Sequence, residues 1–159
     1  MSDERQKTPP VGPNIGHSVS ALVEAPAERV FAFLSDGKAL GRWALGSFGT
    51  RRDAETGLYR GRSLFDGSEG FLRIDARSDL MLIDYHIGSP DTLQPRISAR
   101  VVPHTVCGLP EGTCYATLTA WRGAGMDDAR WQRLCATHEA EIWLIKAQIE
   151  TEAKMRPAP

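Results

Sequence analysis

The 159-residue chain has few cysteines, and Cys107, Cys114 and Cys135 are too widely and oddly spaced for a disulfide framework or a CxxC metal pair. Reduced thiols and a cytoplasmic setting are the resulting expectation. The four histidines sit on separate segments without HxxxH or HExxH spacing, which argues against a metal centre. A Walker loop is missing, and "GRWALGSFG" has glycines without the strand-to-helix context of a nucleotide cradle. No cofactor is therefore expected. No apolar run approaches the roughly 18 residues that a membrane span requires. "MSDERQKTPPVGPN" has no apolar centre to make it a signal peptide. The formal net charge is -1, so no overall field draws nucleic acid or an acidic membrane.

What is present is the composition of one globular domain, 42% hydrophobic and 25% charged, long enough to bury a core without crosslinks. Residues 1–14 are expected to form a mobile tail, 15–153 a single domain and 154–159 a second short tail. A homodimer is left open.

"IGHSVSALVE" alternates, placing His17, Val19, Ala21 and Val23 on one side of a strand. "APAERVFAFLSDG" reads as a helix with Pro26 in its first turn and Gly37 at its exit. "KALGRWAL" reads as a second, shorter helix. From residue 46 the texture changes to strands separated by turns: Glu55-Thr56-Gly57 and Asp66-Gly67-Ser68 carry hairpin chemistry. "LMLIDYHIG", "PRISARVVP" and "TCYATLTAWR" supply three more strands. A long helix then starts near Asp127, whose side chain can cap free amides. Its Trp131, Leu134, Cys135, His138, Ile142, Ile145 and Ile149 fall on one broad apolar face.

The order is strand, two short helices, a meander of about six strands and a long helix, which defines an α+β layer structure. "SALVEAPAERVFAFLSD", followed by "RWALGS", "LIDYHIG", "LTAWR" and the closing amphipathic helix, resembles the START-like (SRPBCC) superfamily. The likeness is to its polyketide cyclase/dehydrase-type, Bet v 1-like helix-grip group, over roughly residues 15 to 150. It implies a curved antiparallel sheet of about six to seven strands wrapped around the C-terminal helix. It also implies a hydrophobic ligand cavity between the two. It does not imply one chemistry, because the superfamily spans carriers, receptors, cyclases and co-chaperones.

Within that frame His138, central on the apolar helix face, is the leading acid or base. The bland alternative is a hydrogen-bonded core histidine. Tyr85 belongs to the more apolar face of its strand, with Met81, Ile83 and Ile87, and is a cavity candidate. The resemblance puts a Trp near the end of "TCYATLTAWR" on the inner face. If that applies to Trp121, then Tyr115, Thr117 and Thr119 line the cavity with it. The alternation equally admits the reverse, with Ala116 and Leu118 inside. Trp43, Phe65, Phe71, Cys135 and Ile142 complete the expected lining. Trp43 is either a cavity wall or a core anchor for the short helices. Tyr85 or Tyr115 could polarise a carbonyl or phenol in an enzyme of this kind.

Other groups carry weaker signals. Arg73 and Arg100 stand mid-strand and could face inward toward an anion, although Glu69 and Asp75 offer Arg73 an internal partner. Arg51, Arg52, Arg60 and Arg62 read as solvated. His104 and Cys107 share a loop too irregular to hold a nucleophilic pair. "GSPDTLQP" and "PHTVCGLPEG" are expected to border the cavity entrance. The expected function is binding of a hydrophobic, aromatic or polyketide-like small molecule. The alternatives are a cofactor-independent cyclase, dehydratase or lyase using His138, and a co-chaperone-like interaction module.

Overall fold

The computed structural model describes residues 13–156, so residues 1–12 and 157–159 of the two expected tails lie outside the described residues. In chain order the elements are β1 (Gly16–Val23), α1 (Ala27–Ser35), α2 (Gly37–Trp43), β2 (Phe48–Arg52), β3 (Tyr59–Arg62) and β4 (Glu69–Arg77). They continue with β5 (Leu82–Gly88), β6 (Gln94–Pro103), the single-turn α3 (His104–Cys107), β7 (Cys114–Trp121) and α4 (Asp128–Met155). The seven strands form one sheet ordered β1-β7-β6-β5-β4-β3-β2. Every neighbouring pair is antiparallel, so β2 to β7 are a meander and β1 closes the free edge of β7. The expected α+β class, with two short helices after the first strand and a long closing helix, is the observed one.

The turns behave as their chemistry dictates. Gly57 and Gly67 both take φ of 72°, a left-handed conformation that costs glycine little. The carboxylates of Asp53 and Asp66 accept hydrogen bonds from the backbone N–H of Thr56 and Ser68. At the helix junction the expectation needs correcting. Gly37 is not the exit of α1 but the first residue of α2, and Asp36 caps α2 by accepting from the Lys38 N–H. Glycine is needed at 37 because a Cβ there would meet the Tyr59 ring.

The core lies between the sheet's inner face and the helices. Val30, Phe33 and Leu34 of α1 meet Leu72, Ile83, Val101 and Leu118 from four strands. Ile142, Ile145 and Ile149 of α4 complete it. Each such side chain contributes about 1.5–3 kcal/mol by leaving water. The C-terminal half of α4 is tied down by polar contacts: Lys146 Nζ donates to the Leu22 carbonyl and Gln148 to that of Arg42. Glu150 accepts from the Glu24 N–H. The N-terminal half carries fewer buried apolar side chains, Trp131 against Ile142, Ile145 and Ile149.

Strand β7 settles the choice its sequence left open. Cys114, Ala116, Leu118 and Ala120 are buried, whereas Tyr115 and Trp121 are 39% and 41% exposed. Thr117 and Thr119 share that outer face, where their hydroxyls bond to Ser20 and Ser18 of β1, each at 2.8 Å. The inner-face expectation for Tyr115, Thr117, Thr119 and Trp121 is therefore overturned. The small side chains point inward because helices pack closely on this strand. The aromatics stand outside, where there is room.

Candidate functional site

In an antiparallel meander, successive turns alternate between the two ends of the sheet. The β3–β4, β5–β6 and β7–α4 connections consequently share one end, and they rim a hollow of about 750 Å³ between sheet and α4. The α2 end, from Trp43 to Ser47, forms a further wall. The loop after β6, which holds His104 and Cys107, is at the opposite end and takes no part, contrary to expectation. "GSPDTLQP" does border the hollow, through Ser89 and Thr92.

Helix α4 contributes Arg130, Arg133, Leu134, Thr137, His138 and Glu141, a stripe spaced i, i+3, i+4, i+7, i+8 and i+11. Cys135 falls one step off that stripe. It lines a separate surface groove with Ile15, His17, Trp131 and Glu139. Ile142 also misses the hollow and packs in the core. Of the expected residues, Trp43, Phe65, Phe71, Tyr85 and His138 do meet around it. Phe65 stands half-exposed at the rim with Arg133 5.3 Å from its ring centroid. Phe71 has the Arg60 guanidinium 5.8 Å from its own.

Trp43 and Tyr85 are both buried and meet edge-on, ring centroids 6.2 Å apart. The Tyr85 hydroxyl donates to the Leu34 carbonyl at 2.7 Å. Burial, with the nearby Glu141, drives its pKa far up, so it stays a phenol. Its one proton is committed to Leu34.

The group that the sequence reading missed is Glu141, only 4% exposed. One carboxyl oxygen accepts from the Leu45 N–H at 2.8 Å, and the other lies 3.7 Å from His138 Nε2. Burial raises the Glu141 pKa to about 8, partly opposed by the Leu45 hydrogen bond. Burial, aided by repulsion from His17, lowers that of His138 to about 4. At neutral pH the pair is thus an imidazole beside a protonated carboxyl group, and it holds one proton. Two buried nitrogens of the lining have no hydrogen-bond partner, Trp43 Nε1 and His138 Nδ1. Native proteins rarely leave such atoms unsatisfied. Glu141 was invisible because a glutamate three residues after a histidine on a helix normally reads as solvated.

The remaining polar candidates lie elsewhere. Arg73 is exposed beside Asp75 and His86, and Arg100 is exposed. Glu69 holds Arg60 and Arg62 rather than Arg73. Among the described residues, no group of three His, Cys, Asp or Glu side chains is placed to hold a metal ion.

Sheet order, paired short helices and the long helix over the sheet define the START-like fold of polyketide cyclase-type proteins. A START superfamily protein from Mycobacterium smegmatis is similar with a TM-score of 0.62 and 17% identity, covering 87% of this chain and 99% of the other. The Zhui aromatase/cyclase from Streptomyces sp. R1128 is similar with a TM-score of 0.62 and 16% identity, over 88% and 96% of the two chains. The Aha1 dimer from Colwellia psychrerythraea gives a TM-score of 0.62 at 11% identity, over 86% and 96%. No protein-family model and no curated protein sequence matches the chain. Among the described residues, no helix is long and apolar enough to cross a membrane.

Proposed function

We propose that the hollow binds an apolar, aromatic or polyketide-like small molecule. The observation that carries this reading is the pair of unpartnered buried nitrogens, on Trp43 and His138, in the wall of a hollow about 750 Å³ in volume. That volume suits a ligand of about two to four rings, and a wall that mixes aromatic and aliphatic side chains with directed polar groups suits an oxygenated one. The existence of an aromatase/cyclase with this fold supports a cyclic, oxygenated ligand. An interaction module would instead need a filled core and a contiguous exposed apolar patch.

Titration with 9-anthracenemethanol, followed by quenching of tryptophan emission, tests the reading. Saturable binding in the micromolar range is expected. Gly70 borders the hollow, and a Cβ there would meet nothing within 4 Å. Gly70→Phe should therefore fold normally and abolish binding. Undiminished binding to that variant would place the probe elsewhere and sink the proposal.

A second reading, a cofactor-independent cyclase, dehydratase or lyase, is favoured by one observation, the His138–Glu141 pair. A histidine that accepts a proton while a neighbouring carboxyl group donates one is the arrangement that proton shuttling through an enol requires. His138→Ala with retained binding and lost turnover is its signature.

A further inference from the structure

In a regular strand, neighbouring residues face opposite sides of the sheet. Arg96 and Ile97 nevertheless both border the hollow. The β5–β6 ladder supplies the reason: Tyr85 pairs with Ile97, while the next residue, His86, pairs with Pro95. Arg96 is the extra residue of a β-bulge, a device that re-aims one side chain and gathers near functional sites. Pro95, which has no N–H to give the ladder, is suited to that position in an interior strand.

The re-aimed side chain is half-buried and occupies the space beside Gly123, in the loop after β7. A Cβ on Gly123 would stand 2.5 Å from Arg96 Nη1 and 3.3 Å from its Cδ. Arg130, from the first turn of α4, borders the same hollow. Burial first, and then repulsion from Arg130, lowers the Arg96 pKa. Nearby carboxylates are already engaged: Glu69 with Arg60 and Arg62, Asp66 with the Ser68 N–H and hydroxyl, Asp128 with Arg122, and Asp127 with the backbone N–H of Arg130. Among the described residues neither Arg96 nor Arg130 has an ion-pair partner. Two adjacent cations without a counter-charge, one of them half out of water, are unfavourable unless an anion joins them.

We propose that Arg96 and Arg130 form an anion subsite at the mouth of the hollow. It takes the carboxylate of an amphiphilic aromatic or polyketide-like acid whose apolar body lies against Trp43, Leu72 and Ile87. The inference rests on the small-molecule reading above and narrows it to acids. Guanidinium groups match a planar carboxylate in bidentate fashion.

The test compares 9-anthracenecarboxylate with its neutral counterpart 9-anthracenemethanol, titrated at neutral pH and low ionic strength. The unmodified chain should prefer the acid about tenfold or more, the scale of a charge-assisted contact. Arg96→Gln with Arg130→Gln should reduce that preference to about twofold or less, chiefly by weakening the acid, with the alcohol's affinity lowered by less than about threefold. Gly123→Ala, which unseats the Arg96 guanidinium, should weaken the acid alone. Circular dichroism melts identify any variant that fails to fold, and Gly123→Ala stands as the independent arm. Equal binding of both probes by the unmodified chain overturns the anion subsite and leaves the aromatic-pocket reading intact. A preference that survives the double substitution overturns the assignment to these two arginines. Binding of neither probe overturns both readings.

Discussion

The Tyr85 hydroxyl hydrogen-bonds the Leu34 carbonyl at 2.7 Å, joining the middle of the sheet to the last turn of α1. Carbonyls in a helix's final turn have no intrahelical donor, so this bond satisfies one that burial would otherwise strand. Tyr85→Phe should therefore lower unfolding free energy by about 1–3 kcal/mol in urea titrations. Probe affinity should change by less than about threefold, because the bond is internal to the fold. A variant of unchanged stability that no longer binds would reverse the assignment, making the hydroxyl a ligand donor.

The outer face of β7 yields a negative prediction. Thr117 bonds Ser20 across the strand pair and does not touch the hollow. Thr117→Val should cost about 1 kcal/mol or less, since the site is open to water. Its affinity for 9-anthracenemethanol should match that of the parent chain. Trp121→Phe should behave in the same way, and most of the ligand-induced quenching should survive it because Trp43 is the tryptophan in the hollow's wall. A tenfold loss of affinity in either variant would return this strand face to the site.

The difference between what could and could not be read from the sequence has a physical basis. Elements declared themselves wherever two independent signals agreed, as at Asp53-to-Gly57, where an aspartate turn and a left-handed glycine coincide. The face of β7 did not, because Cys, Ala and Leu alternate with Tyr, Thr and Trp. The first set is apolar but small, the second carries more apolar surface on its two aromatics, and so alternation alone did not choose between them. His138 was legible as a lone polar group on an apolar stripe. Glu141 was not, since only the tertiary fold buries it under the Leu45 N–H. Arg96 faces inward through a one-residue break in alternation. Its single advance sign was Pro95, a residue that a regular interior strand does not tolerate.

Close approach of α2 to β2 makes Gly41 a third test. A Cβ at that position would collide with the backbone nitrogen of Thr50, and backbone cannot swing aside as a flexible side chain can. Alanine is favoured over glycine in a helix by about 1 kcal/mol, whereas overpacking costs about 1–3 kcal/mol. The steric effect should win, so Gly41→Ala is expected to lower the melting temperature. A rise would mean that α2 stands farther from β2.

The His138–Glu141 pair makes stability depend on pH in a way that one substitution can isolate. Ordinary values are 4.5 for the glutamate and 6.5 for the histidine, against about 8 and about 4 in the folded chain. From 4.5 to 6.5 the pair holds one proton whether folded or unfolded, so its contribution is level. Above 6.5 the unfolded pair has lost both protons while the folded pair retains one until about 8. Stability must then fall with rising pH, by about 2 kcal/mol across that window. Below 4.5 the unfolded pair holds two protons and the folded pair one, so stability also declines toward about 4. Glu141→Gln keeps an oxygen for the Leu45 N–H but cannot ionise. Urea unfolding of both chains across this range should show the alkaline decline in the parent and its absence in the variant. The groups packed around the pair, His17 and Tyr85, stay the same in both, so the difference between the two curves belongs to Glu141. Parallel curves above pH 6.5 would mean that the folded pair has also given up its proton by then, leaving an ionised Glu141 beside a neutral His138.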